Sequence, residues 1–499
     1  MNASGAGDRK IKYVRIDRSQ MRMEVLDVEG LIPPNHAARI IWELSGSMNL
    51  SRFEEEYQSE EGGSGRPCWP VQLLVSVWAY SYSIGVASAR SIERLMGQEP
   101  GLRWLAGTET INHHTLADFR VGHKEALDGL FSQLLVMLDQ AGIVDLSTIL
   151  QDGTKIKTVA GSGSFHRRKT LEKRLRTARK VMRELDRQAV EEREAMDERR
   201  QAAQRRAARE AVARAEAALQ QLQKLEAYTV PRKRKDLRVS SSESEARKMK
   251  QGDGGVAPSY NLQVSAEGRS RMIVGVGLTM AANDTHELVP AIERVEQTSG
   301  RKAARIIADN GYATRSNVER TTEKGIELIA PWKDRSSREA GACERNGIGK
   351  EFWPSAFRAQ RGGKTLICPA GKVLVVIQQK VHHGLSKNVF EAKPGDCGKC
   401  RWREPCCGKR KGPRRVERVA ESRAMRQHLA RMKRRRTKEL YSKRSEVAEF
   451  PYLWAKGVKR WRRFSVRGIV KAGMEAVWVA LAYNITQWIR VRNEAAAPA

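Results

Sequence analysis

Acidic residues are too few to balance this chain. Asp and Glu number 58 against 91 Lys and Arg in 499 residues, a formal charge of +33, and the excess is spread along the chain instead of sitting in one tail. A sustained positive field suits a long phosphate backbone better than a membrane surface or an acidic protein, so nucleic acid is the expected partner. Long apolar runs are missing too. None approaches the roughly 18 residues of a membrane span, and the opening MNASGAGDRKIKYVRID lacks the apolar centre of a secretory signal. Seven cysteines, five of them between 368 and 407, do not make a disulfide framework for a chain this large. A reduced, cytoplasmic setting is expected. Glycine and proline are absent from Ser164 to Val230, 67 residues, which excludes tight-turn structure there and would give a helix of roughly 100 Å if unbroken.

What is present divides the chain. Residues 1–20 are expected to be a disordered arm. From 21 to 143 the apolar spacing is helical, as in PVQLLVSVWAYSYSIGVASARSIERL, and predicts an α-helical domain for DNA binding or assembly. VDLSTILQDGTKIK then reads as the first strand of a new unit over 144–490. Within the Gly- and Pro-free stretch, Leu171, Leu175, Ala178, Met182, Leu185 and Ala189 follow steps of four and three, as do Ala208, Val212, Ala215, Leu219 and Leu222. Two such arms around a charged middle predict an antiparallel helical hairpin over 164–230, with one long dimeric coiled coil as the alternative. Its charges fit an ordinary solvated helix surface.

Beyond the basic linker the chain is β-rich, with a hairpin signal at Glu267-Gly268, a helix from about His286 to Gln297, and the strand RIIA at Arg305 to Ala308. Strand, strand, strand, helix, strand is the order of an RNase H-like core. A Cys-rich insert over 340–415, a basic helix over 423–444, a final apolar helix and a disordered tail over 491–499 complete the reading.

Three acids stand where core elements are expected to end: Asp152, Asp309 and Glu449. Phosphoryl transfer on nucleic acid commonly uses carboxylates from separate elements to hold two Mg²⁺ ions, a hard cation that takes oxygen ligands. Each carboxylate repels the others, so the cluster is costly without a cation. For any one of them the plain alternative is a turn or helix cap.

The stretches DGTKI at 152–156, ADNGY at 308–312, and Tyr441-Ser-Lys-Arg444 followed by Glu449 and Lys456 resemble the three signature blocks of bacterial insertion-sequence transposases of the DDE class. GRPCWPVQLLVSVWAYSYSIGVASARSIERL, GLRWLAGTETINHHTLADFR, EARKMKQGDGGVAPSYNLQV, CPAGK and RRFSVRG with LAYN are similar to one branch of them, so the likeness spans roughly 20–490. The resemblance implies an α/β RNase H-like catalytic core with a helical N-terminal domain and a long helical-hairpin insertion. It also implies metal-dependent cleavage of double-stranded DNA at the element's terminal inverted repeats and strand transfer into target DNA, by a homodimer at the nucleoid. Asp152, Asp309 and Glu449 would hold Mg²⁺, for which Mn²⁺ can substitute, and Tyr441, Arg444 and Lys456 would contact phosphate. Ala448 and Phe450 depart from the residues usual beside the glutamate, and Glu446 is the rival third ligand. A nuclease of the same fold without strand transfer and an inactive, domesticated DNA-binding copy are the other readings.

Cys368, Cys397, Cys400 and Cys406 or Cys407 offer a structural Zn²⁺ site if the intervening loop folds back; otherwise they are ordinary reduced cysteines. His113, His114 and Asp118 suggest a turn and helix start, not a metal site. Asp284 is expected to cap the helix that follows it. Trp454 and Trp461 either stack on an unpaired base or pack in the core.

Overall fold

The computed structural model describes residue 19 and residues 25–55, 67–191, 198–332, 336–360, 363–382 and 385–496. Of the arm expected over 1–20, only residue 19 is among them. The N-terminal part is built of helices, including Ala37–Gly46, Val71–Ser83, Pro100–Leu105, His113–Gly122 and Lys124–Gln140. Val71–Ser83 is apolar on all sides and buried on all sides, with Trp78 fully enclosed, as expected of a helix surrounded by others. The last helix, Ile469–Ala496, packs against it and against Lys124–Gln140. One hydrophobic cluster runs from Ile32 through Trp78 and Ile149 to Ile485, so the helical part and the sheet share a core.

The main sheet has six strands: β1 (Thr148–Lys157), β2 (Arg247–Lys250), β3 (Val256–Glu267), β4 (Ile273–Thr279), β5 (Arg305–Ala308) and β6 (Glu327–Ile329). β3 pairs antiparallel with β1, β2 and β4, while β1, β5 and β6 run parallel in that order. The two faces are covered differently. Ile149 and Ile306 face the helix Leu288–Ser299 through Leu288, Ile292 and Val295. Leu150, Ile307 and Ile329 point the other way and form a small cluster with Val447 and Ala448, consistent with the two-residue period of a strand.

Two insertions leave this core. Arg168–Glu191 and Glu198–Tyr228 lie antiparallel, held by Leu171, Ala218 and Leu222 at their base and tied by Arg168–Glu226 (2.6 Å) and Arg179–Glu216 (2.8 Å). The Cys-rich segment carries a five-stranded antiparallel sheet made of Arg358–Gln360, Thr365–Ile367, Val373–His382, Leu385–Ala392 and Arg415–Val419. Its cysteines mark this segment in the sequence, and the expected bound at 415 falls on the first residue of its outer hydrogen-bonded strand.

Several expectations need correction. Asp152 lies in the middle of β1, not at its end, because pairing with β3 continues to Lys157. The basic helix expected over 423–444 is broken into Arg423–Met432 and Arg435–Ser442, followed by Arg444–Ala448. The first break falls at Arg434, whose backbone is extended (φ −69°, ψ 139°). The tail expected to be disordered from 491 is helical to Ala496, with an Arg490–Glu494 pair at 3.5 Å on that last stretch. Asp284 caps nothing: Leu288–Ser299 begins at Glu287 without a side-chain cap.

The joint between the helical part and the sheet is polar at its centre. Glu475, fully buried on the last helix, accepts from Trp461 Nε1 (3.0 Å) and from Ser465 N and Oγ (2.9 and 3.0 Å). Arg120 donates to the same Ser465 Oγ at 2.8 Å and lies over the Trp78 ring. Burial raises the Glu475 pKa, and Arg120 and the donors work against that rise. Removing one partner of a buried charged cluster strands the others, at about 3–5 kcal/mol. Glu475→Ala is expected to lose that much in denaturant unfolding and Glu475→Gln less; an alanine variant as stable as the parent would contradict this account of the joint.

Candidate active site

The two aspartates are brought together by strand register. Gln151 of β1 pairs with Ala308, the last residue of parallel β5. One further step sets Asp152 beside Asp309, on strands about 4.8 Å apart and on the same face. Asp309 then leaves the sheet through a tight turn in which its carboxylate accepts from Gly311 N at 2.7 Å. A Cβ on residue 311 would stand 2.9 Å from that oxygen, which accounts for the glycine. Asp152 Oδ1 accepts from Gly153 N (2.9 Å) and from Arg444 Nη2 (3.2 Å). A Cβ on residue 153 would come within 2.4 Å of Gln263 Nε2 and 2.5 Å of Asp284 Oδ1, so any side chain there would displace these two hydrogen-bonded groups.

The face bearing both acids is covered by the short helix Arg444–Ala448. Val447 and Ala448 pack on Leu150, Ile307 and Ile329, and Tyr441 leans on the same cluster. This seating carries Arg444 to Asp152. Glu449 follows as the residue closing the helix and is exposed, as is Glu446. Asp152, Thr154, Glu446, Glu449, Lys456 and Arg462 line one open cleft of ≈ 750 Å³. Lys456 Nζ donates to Thr154 Oγ1 (2.6 Å) and to the Lys155 carbonyl (3.0 Å), and the buried Tyr452 hydroxyl donates to the Asp152 carbonyl (2.8 Å).

Burial pushes the Asp152 carboxyl up to about 6. The Asp309 charge adds to the rise, and Arg444 and the Gly153 N–H oppose it. Burial likewise lowers the Lys456 ammonium to about 8, helped by the nearby Lys155 and Arg462 charges. Arg444 keeps a buried Nε with no hydrogen-bond partner. A carboxylate that is costly to ionise, a second carboxylate alongside and an unsatisfied guanidinium donor suit a divalent cation with a bound phosphate. The two aspartates fit that role on their own strands. Glu449 shares the cleft but not the pair's position: among the described residues no three His, Cys, Asp or Glu side chains are grouped to hold a metal ion.

Behind the acids, on the opposite face of the sheet, lies a polar network that the sequence reading missed. Tyr312 Oη donates to Gln263 Oε1 (2.6 Å), Gln151 Nε2 donates to the same oxygen (2.8 Å), and Ser265 Oγ donates to Gln151 Oε1 (2.6 Å). Asp284 accepts from Asn261 and Gln263, each at 2.7 Å, and faces Lys155 at 3.7 Å. Buried glutamines in strands that otherwise read as apolar were the available signal.

The remaining candidates fall elsewhere. Trp454 and Trp461 are core residues. His113 Nδ1 pairs with Glu93 at 2.7 Å on a helix capped by Asn112, while Asp118 is exposed. Cys368, Cys397, Cys400, Cys406 and Cys407 line one small pocket. There Cys368 Sγ accepts from Lys372 N (3.2 Å) and Cys397 Sγ from Arg414 N (3.5 Å). Burial pushes the Cys406 thiol up to about 12, and Cys368, Cys397 and Cys406 pack on the apolar cluster around Phe357 and Phe390.

Residues 367–489 match a family model described as a transposase DDE domain, and residues 26–122 match one described as a transposase domain (DUF772). The first match contains Tyr441, Arg444, Glu449 and Lys456; Asp152 and Asp309 lie outside both. No curated protein matches the chain.

The raised Asp152 pKa has a consequence for stability. A carboxyl held at about 6, against 3.8 in the unfolded chain, stabilises the fold fully below pH 3.8, and that contribution is lost as pH rises through 6. Asp152→Asn cannot ionise. It is expected to be more stable than the parent at pH 7–8 by about 1–3 kcal/mol, with the gain vanishing toward pH 4. Melting curves across this range check it, and a variant less stable than the parent at pH 8 would contradict the assignment.

Proposed function

The chain belongs to the DDE-class insertion-sequence transposases, and on that premise we propose that it binds the terminal inverted repeats of its own element and cleaves and joins DNA there. The observation that carries the reading is the register that sets Asp152 beside Asp309 beneath the helix bearing Arg444 and ending at Glu449. Asp152, Asp309 and Glu449 would hold Mg²⁺, or Mn²⁺ in its place. When bound, the metal activates the attacking oxygen and stabilises the leaving one.

The chain's own residues prepare the phosphate. Arg444 has a spare buried donor, Lys456 lines the cleft that Asp152 and Glu449 share, and Tyr441 packs on the apolar cluster of Leu150 and Ile307, the strand neighbours of the two acids, so the three would grip the scissile phosphodiester. Glu449, exposed at the end of its helix, would complete the acid set as DNA fills the cleft. Hydrolysis frees a 3′-hydroxyl, which then attacks a target phosphodiester and displaces that strand's own 3′-oxygen. Two ends must meet for this, which makes a homodimer the natural working unit, at the nucleoid.

A structural Zn²⁺ at Cys368, Cys397, Cys400 and Cys406 is a separable part of the same reading, and it requires these thiols to draw together, since among the described residues no three of them are grouped to hold a metal ion. Its support is the shared pocket and the backbone N–H donated to the Cys368 sulfur. Metal analysis of the purified protein finding one zinc per chain would carry it, and finding none would remove it.

Asp152→Ala, Asp309→Ala and Glu449→Ala are each expected to lower Mg²⁺-dependent cleavage of element-end DNA at least about 100-fold with little change in DNA binding. Glu446→Ala should cleave normally. Loss with Glu446→Ala and retention with Glu449→Ala would transfer the third position to Glu446. Joined products, scored on a gel with target plasmid, separate a transposase from a nuclease.

A further inference from the structure

The helical hairpin carries a groove that the catalytic reading does not use. Thr170, Lys173, Arg174 and Thr177 from Arg168–Glu191 face Arg214 from Glu198–Tyr228, over a floor of small residues that includes Ala215. The volume enclosed is ≈ 530 Å³. Ser241, on the chain returning to the core, closes one end, and Ser241 N donates to the Ser164 carbonyl at 2.9 Å.

The charges here are only partly neutralised. Some hairpin arginines find carboxylates, as in Arg168–Glu226, Arg179–Glu216 and Arg187–Glu184, while Arg176 and Arg183 on the same helix have none among the described residues. Among the described residues no carboxylate pairs with Lys173 or Arg174, and both are exposed. Arg214 is tied to Glu210 at 3.1 Å on its own helix. The basic group extends past the groove. Arg174 and Arg238 both help to lower the pKa of His166, after burial, and the exposed Arg232, Lys233, Arg234 and Lys235 follow the second helix.

We propose that this groove is a docking site for the phosphate backbone of duplex DNA, formed by Lys173, Arg174 and Arg214 with the hydroxyls of Thr170 and Ser241. The chemistry matches that partner. Lysine and arginine with small hydroxyls are the usual phosphate contacts, which position a duplex without reading its sequence, and an alanine floor lets a sugar-phosphate strand approach closely. The placement matches as well, since the hairpin emerges from the chain just beyond β1, the strand that holds Asp152. The inference rests on the transposase reading for its partner, but not on any catalytic assignment.

The test uses the full-length protein and a random-sequence DNA duplex of about 50 base pairs, with affinity measured by fluorescence anisotropy over a range of salt concentrations. Each phosphate contact contributes about 0.9 to the slope of log affinity against log salt. Lys173→Gln/Arg174→Gln/Arg214→Gln should lower that slope by about 2 to 3 and weaken binding roughly 10- to 100-fold near 0.1 M salt. Lys173→Arg/Arg174→Lys, which keeps both charges, should retain the parental slope. Circular dichroism confirms that the hairpin is intact in both. An unchanged slope in the folded triple variant would overturn the docking site while leaving the function untouched. A parent protein that binds no duplex at all would overturn the DNA reading itself, so the two failures are distinct.

Discussion

Two carboxylates held side by side on neighbouring parallel strands are the costly element on which the rest of the site depends. The Asp152 backbone is fixed in mid-strand opposite Val264 of β3, one step past the last pair of β1 with β5. Its carboxylate cannot reach water freely, since the helix Arg444–Ala448 lies over that face. Burial, with a smaller contribution from the Asp309 charge, pushes the Asp152 carboxyl up to about 6. Arg444 offsets part of that rise, and a divalent cation would offset more, which is why a site of this kind is poised for a metal.

The surrounding structure reads as support for that pair. Glycine at 153 and at 311 leaves room where a side chain would collide with Asp284 or with Asp309 itself. Tyr312 links the turn after Asp309 to Gln263 and so to Gln151, the neighbour of Asp152. Tyr452 holds the Asp152 carbonyl and Lys456 the Thr154 hydroxyl, so the segment after Glu449 is tied to β1 at two points. The last helix, anchored through Glu475, fixes that segment to the helical N-terminal part. Distant parts of the sequence are thereby coupled to a few ångströms of strand.

Some of this was legible in the sequence. RIIADNGY announced a short strand, an acid and a turn, because local apolar run, charge and Asn-Gly chemistry all agree there. DGTKI was harder: a glycine after an acid suggests an end, whereas the strand runs on, since Gly153 serves close packing and not a turn. The polar network escaped notice because a buried glutamine looks like any surface glutamine until the facing strand is known. The Cys-rich sheet was overshadowed by its cysteines, although VLVVIQQKV carries strand character. The steps from Tyr441 and to Lys456 favour Glu449 over Glu446, and both stand exposed on the same cleft.

The central claim is that Asp152 and Asp309 together form a divalent-cation site now partly neutralised by Arg444. Diffraction from crystals soaked in Mn²⁺, read by its anomalous signal, addresses this directly. The account predicts a peak bridging the Asp152 and Asp309 carboxylates, with the Arg444 guanidinium displaced from Asp152 toward the cleft. A Mn²⁺ peak elsewhere, with Arg444 still bound to Asp152, would contradict it.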